Sequence, residues 1–296
     1  MLKTRSPSAI VVTCLVLTSA ACAAVPPPVA PPAATDRENL VAALADLGPA
    51  AAACAVSPPP NLTAAGLELL TRHAPEWLDA LGGVPPSGAS GSGGETSAGA
   101  SFAPAASDTA VGAGCEPGLL DRDLGRVRAL SVRLSGEDAV ARAVARASGA
   151  DEAILFDALA GGQPPAAEDL ATLDPEDLSD LALAEDQAGF VGEYLAAQSP
   201  DPELAARLEA AAALHSSRGQ TLADLGGGPD PRQPAYQLGA PPAGPDAIRE
   251  RWAAVELALA SHYAALPDGA ADPLLTWQLV EAATWGAELP ALPFLA

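Results

Sequence analysis

Aromatic residues are scarce in this 296-residue chain, at 4% against 49% hydrophobic residues overall. Alanine and leucine must therefore supply most of the packing, and close-packed Ala/Leu helices are the natural outlet for that composition. Basic residues are also few: 15 Lys and Arg face 37 Asp and Glu, for a net charge of −22. Such a surface repels phosphate, which argues against nucleic acid as a partner. Anionic lipid would be repelled as well, so membrane association requires a covalent or hydrophobic anchor. Histidine numbers only three, which leaves few catalytic options. The chain also lacks an HExxH helix, a P-loop, a dinucleotide fingerprint and a GxSxG elbow. No reaction follows from these residues, and the chain reads as non-catalytic.

Proline (30) and glycine (27) are by contrast plentiful, but they cluster, which marks linkers between helical blocks. At the N-terminus Lys3 and Arg5 precede the apolar run "AIVVTCLVLTSAACAA", a leader pattern too short for a comfortable membrane span. Within "TSAAC", Cys22 follows small residues as in a lipoprotein cleavage box, although Ser19 stands where an aliphatic residue is usual. Ordinary cleavage after Ala-Cys-Ala is the alternative. The stretch "AAVPPPVAPPAATD" then forms a stiff, extended tether over 23–35. The reading is a signal peptide at 1–22, a lipid anchor on Cys22 and a place on the outer face of the cell membrane, with soluble secretion as the alternative. Cys14 lies in the leader, which leaves Cys54 and Cys115 for a disulfide in an oxidising compartment, or as two buried thiols.

Residues 36–160 read as an N-terminal helical block interrupted by a low-complexity Gly/Ser/Ala loop over about 84–114, which has the composition of a disordered segment. Thr35 or Asp36 caps its first helix, Pro75 is expected to kink or restart the second, and Ser135–Asp138 signals a new start. "RVRALSVRLS" alternates as a strand would, but Leu120, Leu124, Val127, Leu130 and Leu134 fit a helical stripe better. After "GGQPP", residues 174–296 hold four helical segments, about 175–198, 202–226, 246–266 and 273–289. "SPDP" and "PDGAADP" are short enough to force antiparallel neighbours. Between the second and third helices, "GGPDPRQPAYQLGAPPAGP" shows no helical signal. Extended, it can reach about 60 Å, twice the ~30 Å of a 20-residue helix. The fold class is therefore all-α: a C-terminal four-helix bundle of ferritin-like arrangement, with a long crossover between helices two and three, plus the N-terminal block.

Each inward stripe of this bundle carries an ionisable residue near its middle: Glu185, His215, Glu256 and Glu281, with Arg218 one turn beyond His215 and Tyr263 along the third helix. Ferritin-like di-metal bundles place a Glu on two helices and Glu-x-x-His on the other two. Here Glu185, His215, Glu256 and Glu281 match four of those six positions, while Ala212 and Thr284 replace the remaining Glu and His.

The block also resembles an uncharacterised ferritin-like domain family of bacterial envelope and exported proteins, over about residues 174–295. The signatures are "LALAEDQAGFVGEY", "HSSRGQTLADL", "AAVELALASHYAAL" and the ending "LPALPFL". His215, Arg218 and Leu222, and Glu256 with Tyr263, follow that family's spacing. Gln220 departs from it, standing where the family often has a further acid. The resemblance implies a cell-envelope bundle with no assigned activity.

Two readings of the polar stripe follow. In one, Arg218 pairs with Glu185 or Glu256, with His215 and Glu281 alongside, and the network fixes helix register without a cofactor. In the other, Glu185, His215, Glu256 and Glu281 bind iron or manganese, against which Arg218 competes electrostatically. Partners in either case are an envelope protein, a second copy of the chain or a small ligand. His73, beside Pro75, reads as a surface or capping residue, and His262 as partly exposed.

Overall fold

A computed structural model of the chain describes residues 35–83, 115–158, 163–266, 269 and 271–294. The expected signal peptide with Cys22, the expected tether up to residue 34 and the Gly/Ser-rich stretch at 84–114 lie outside the described residues. All regular elements among the described residues are helical: α1 (Asp36–Val56), α2 (Ala64–Ala80), α3 (Pro117–Leu134), α4 (Ala139–Leu155), a 3-10 turn at Ala167–Leu170, α5 (Pro175–Gln198), α6 (Pro202–Gly226), α7 (Pro245–Ala265) and α8 (Asp272–Thr284).

Local chemistry places the starts. Thr35 and Glu38 form a reciprocal capping box on α1. Asp138 accepts from two backbone amides at the head of α4, and Asp201 does the same for α6. Proline opens α3, α5, α6 and α7, where its missing N–H costs nothing. "RVRALSVRLS" lies within α3 and is not a strand. Pro75 neither splits nor ends α2, which runs on to Ala80. The last helix stops at Thr284 instead of near 289, because Gly286 turns the chain at φ +94°, a conformation open chiefly to glycine.

In the N-terminal block α1 packs on α2 and α3, α3 on α4, and α2 on α4, around a Leu/Ala core with Trp77 fully buried. By length and composition α1 is apolar enough to cross a membrane, yet Leu40, Leu44, Leu47, Ala51 and Cys54 bury one face of it against this core. A disulfide joins Cys54 near the end of α1 to Cys115 just before α3, with S–S 2.03 Å.

The bundle of α5–α8 rests on an intimate α5–α6 pair. A Cβ at Gly219 would lie 3.0 Å from the Asp186 nitrogen and 3.1 Å from the Ala182 carbonyl, so the absence of a side chain there permits the close approach. Asp201, at the start of α6, lies 3.8 Å from Arg249 near the start of α7. Leu204 and Leu208 share an apolar cluster with Ile248 and Trp252 at that same end, together with Leu195 and Trp285 from the late parts of α5 and beyond α8. Helices α6 and α7 therefore run parallel, with α5 and α8 antiparallel to them. The crossover that reverses the chain is held against α5: Tyr236 donates to Asp186 Oδ2 at 2.7 Å and meets Phe190 edge-on.

Helix α4 packs against α8, and Arg146 on α4 donates to the Ala264 carbonyl at 2.8 Å and pairs with Asp272 at 3.3 Å. The tail after α8 reaches α2. There His73 Nε2 donates to the Leu289 carbonyl at 3.1 Å, and Trp77 Nε1 donates to that of Ala291. His73 is thus no surface or capping residue: it is buried, with Nδ1 2.8 Å from Asp151 Oδ2. Burial raises the Asp151 pKa, which the hydrogen bond and charge of His73 partly offset.

Candidate functional site: a buried polar layer

Halfway along the bundle, one polar group from each helix meets the others. Glu185 comes from α5, His215 from α6, Glu256 from α7 and Gln278 from α8, all almost without solvent exposure. Each occupies a position on a face otherwise lined by Leu, Ala and Trp, so the helical repeat that builds the core also aligns the layer. His215 is its hub: Nδ1 lies 2.6 Å from Glu185 Oε2 and Nε2 lies 3.4 Å from Glu256 Oε2. Tyr263 donates its phenol to the other oxygen of Glu185, and the Gln278 amide donates to Glu256 Oε2. The His215 ring is also edge-on to Trp252, which is edge-on to Trp285.

The electrostatics follow from this geometry. Burial alone would push the His215 pKa down; the charge and hydrogen bond of Glu185, then those of Glu256, more than reverse it and hold His215 at about 10. At neutral pH the ring is therefore an imidazolium donating through both nitrogens. Tyr263 is raised well above 10.0, first by burial and then by the Glu185 charge, so it stays a phenol and a donor. Arg218 is buried one turn further along α6, its Nη1 3.9 Å from Glu185 Oε1. Its Nε, Nη1 and Nη2 have no hydrogen-bond partner among the described residues. Two buried cations, His215 and Arg218, thus stand beside two buried acidic side chains, Glu185 and Glu256. Pairing of opposite charges offsets part of the cost of burying them.

The structure brings together Glu185, His215, Arg218, Glu256 and Tyr263, but not Glu281. Glu281 is only half-buried and faces a cleft beside the layer, while Gln278 takes the inward place on α8. The pairing also differs from the expectation of an arginine fork: His215, not Arg218, bridges the two carboxylates. His262 is exposed and takes no part.

A metal would have to displace the firmly held proton of His215, Arg218 sets a permanent cation beside Glu185, and the inward place on α8 is taken by the amide of Gln278. Among the described residues, no group of three or more His, Cys, Asp or Glu is arranged to hold a metal ion. As arranged, these residues do not fit one. The layer can bind helices together and hold a proton at His215.

No family model, curated protein or solved structure matches this chain.

Proposed function

We propose that this chain is an exported, ferritin-like helical protein of the cell envelope, anchored to the outer face of the membrane through a lipidated Cys22, whose role is binding and not turnover. The observation that carries the non-catalytic reading is His215 held between Glu185 and Glu256, with both ring nitrogens engaged. With both nitrogens spent on Glu185 and Glu256, the His215 ring ties α5, α6 and α7 together and leaves itself no open position for a substrate. The parallel α6 and α7, joined by the long crossover, support the ferritin-like arrangement. The leader pattern, the proline-rich tether and the Cys54–Cys115 disulfide support export to an oxidising compartment.

An iron- or manganese-binding reading draws on the convergence of Glu185, His215 and Glu256. One experiment decides between the two: metal content of protein purified without chelator, followed by Fe(II) and Mn(II) titration. The proposal expects no stoichiometric binding. Stoichiometric binding abolished by Glu185→Ala or Glu256→Ala overturns it in favour of the metal. For the anchor, Cys22→Ser should move the protein from the membrane to the soluble fraction, and an unchanged distribution overturns that part.

A further inference from the structure

A cleft of about 720 Å3 opens between α2, α4, α6, α8 and the tail. That volume is in the range of small-molecule sites, roughly 300–1,000 Å3. Leu69, Ile154, Val280 and Leu289 give it an apolar wall. Its charged groups are Glu68, Arg72, Asp157, Arg207, Glu281 and Glu288.

Both cations are already engaged. Arg72 reaches Glu288 Oε1 at 3.2 Å and the Leu289 carbonyl at 3.4 Å. Arg207 lies over the Trp285 ring, 3.7 Å from its centroid, and donates to Thr284 Oγ1 at 3.0 Å. Glu68, Asp157 and Glu281 have neither an ion pair nor a side-chain hydrogen bond among the described residues. The charge left over in the cleft is therefore negative. Glu68 and Asp157 are exposed, whereas Glu281 is half-buried. Burial, and then the neighbouring Glu256, raise the pKa of Glu281, and the charges of Arg207, His215 and Arg218 offset this only in part.

We infer that this cleft binds a small amphiphilic organic cation, its ammonium group against Glu281 and its hydrocarbon part on Leu69, Ile154, Val280 and Leu289. An anion would meet three unpaired carboxylates and two arginines already committed. A wholly polar cation would leave the apolar wall uncovered. The inference gives a ligand class to the binding role proposed above and rests on that reading. It fails or stands by its own assay, separate from the metal titration and the Cys22 fractionation.

The test is isothermal titration of the full chain with hexylammonium, and with hexanoate as the isosteric anion. The expected result is saturable one-to-one binding of hexylammonium only. Glu281→Gln should weaken it about tenfold, the effect of losing one charge-assisted contact. Ala283→Trp, which fills the cleft, should abolish it. Thermal melts of both variants are run alongside, and either variant that melts with the parent carries the test. The inference is overturned if hexylammonium gives no saturable heat, if hexanoate binds as well, or if a folded variant binds as the parent does.

Discussion

His215 Nδ1 and Glu185 Oε2, on neighbouring antiparallel helices, lie 2.6 Å apart with hardly any solvent contact. Because Glu256 faces the other ring nitrogen at 3.4 Å, the imidazole carries both protons and bridges three helices as a cation. Stability should therefore follow the protonation of this one ring.

His215 titrates at about 10 in the folded protein against 6.5 ordinarily. A raised value means that its stabilisation is complete below the ordinary value and is lost as pH climbs through the folded one. The thermal midpoint, followed by far-UV circular dichroism, should fall steadily between about neutral pH and about 10. His215→Gln should be less stable at neutral pH and nearly flat over that window. A parent curve as flat as the variant's would contradict the bridging imidazolium.

Removing Glu185 would leave His215 and Arg218 opposite a single carboxylate. Breaking a buried ion pair from one side costs about 3–5 kcal/mol, which urea unfolding of Glu185→Ala should show. The double variant Glu185→Ala/His215→Ala should lose less than the sum of the two singles, since the orphaned charge is then gone. Strict additivity would mean that the two residues do not act as a pair.

The Cys54–Cys115 bridge closes a sequence separation of 61 residues. Constraining the unfolded chain over such a loop stabilises by about 2–4 kcal/mol. The Cys54→Ser/Cys115→Ser variant should unfold at correspondingly lower denaturant, and added reductant should lower the parent to match it while leaving the variant unmoved.

Ending the chain after Glu288 would remove the acceptors of His73 and Trp77. Each buried donor left without a partner costs about 1–3 kcal/mol. The shortened protein should therefore melt several degrees lower and show red-shifted tryptophan emission. Melting and emission identical to the parent would mean that the tail contributes nothing to the N-terminal core.

Much of the helix order was legible because it rests on local chemistry. The segments read over 175–198 and 202–226 coincide with α5 and α6, whose ends are set by Pro175, Asp201 and Pro202. Glu185, His215, Arg218, Glu256 and Tyr263 were legible as inward because the buried positions on α5, α6 and α7 recur three and four residues apart. Helix α8 differs. Leu274, Leu275, Trp277, Gln278, Leu279, Val280 and Ala282 are all buried, packed from both α7 and α4. A helix apolar nearly all round presents no preferred face, so the helical repeat points to Glu281 where the structure places Gln278. The burial of His73 is equally hidden from local pattern, because its partner Asp151 lies 78 residues away on α4.

By itself the sequence determined that the described elements are helices, where most of them begin, and that α5–α8 enclose a polar stripe. Caps, prolines and the apolar period act within a few residues of one another, and their effects do not depend on the rest of the fold. Only the tertiary structure decided that His215 bridges two carboxylates, that Gln278 displaces Glu281 from the layer, and that the tail locks onto His73 and Trp77. Those outcomes depend on how helices pack. The approach of α5 to α6 at Gly219, and the burial of α8 from two sides, set distances that no local pattern encodes.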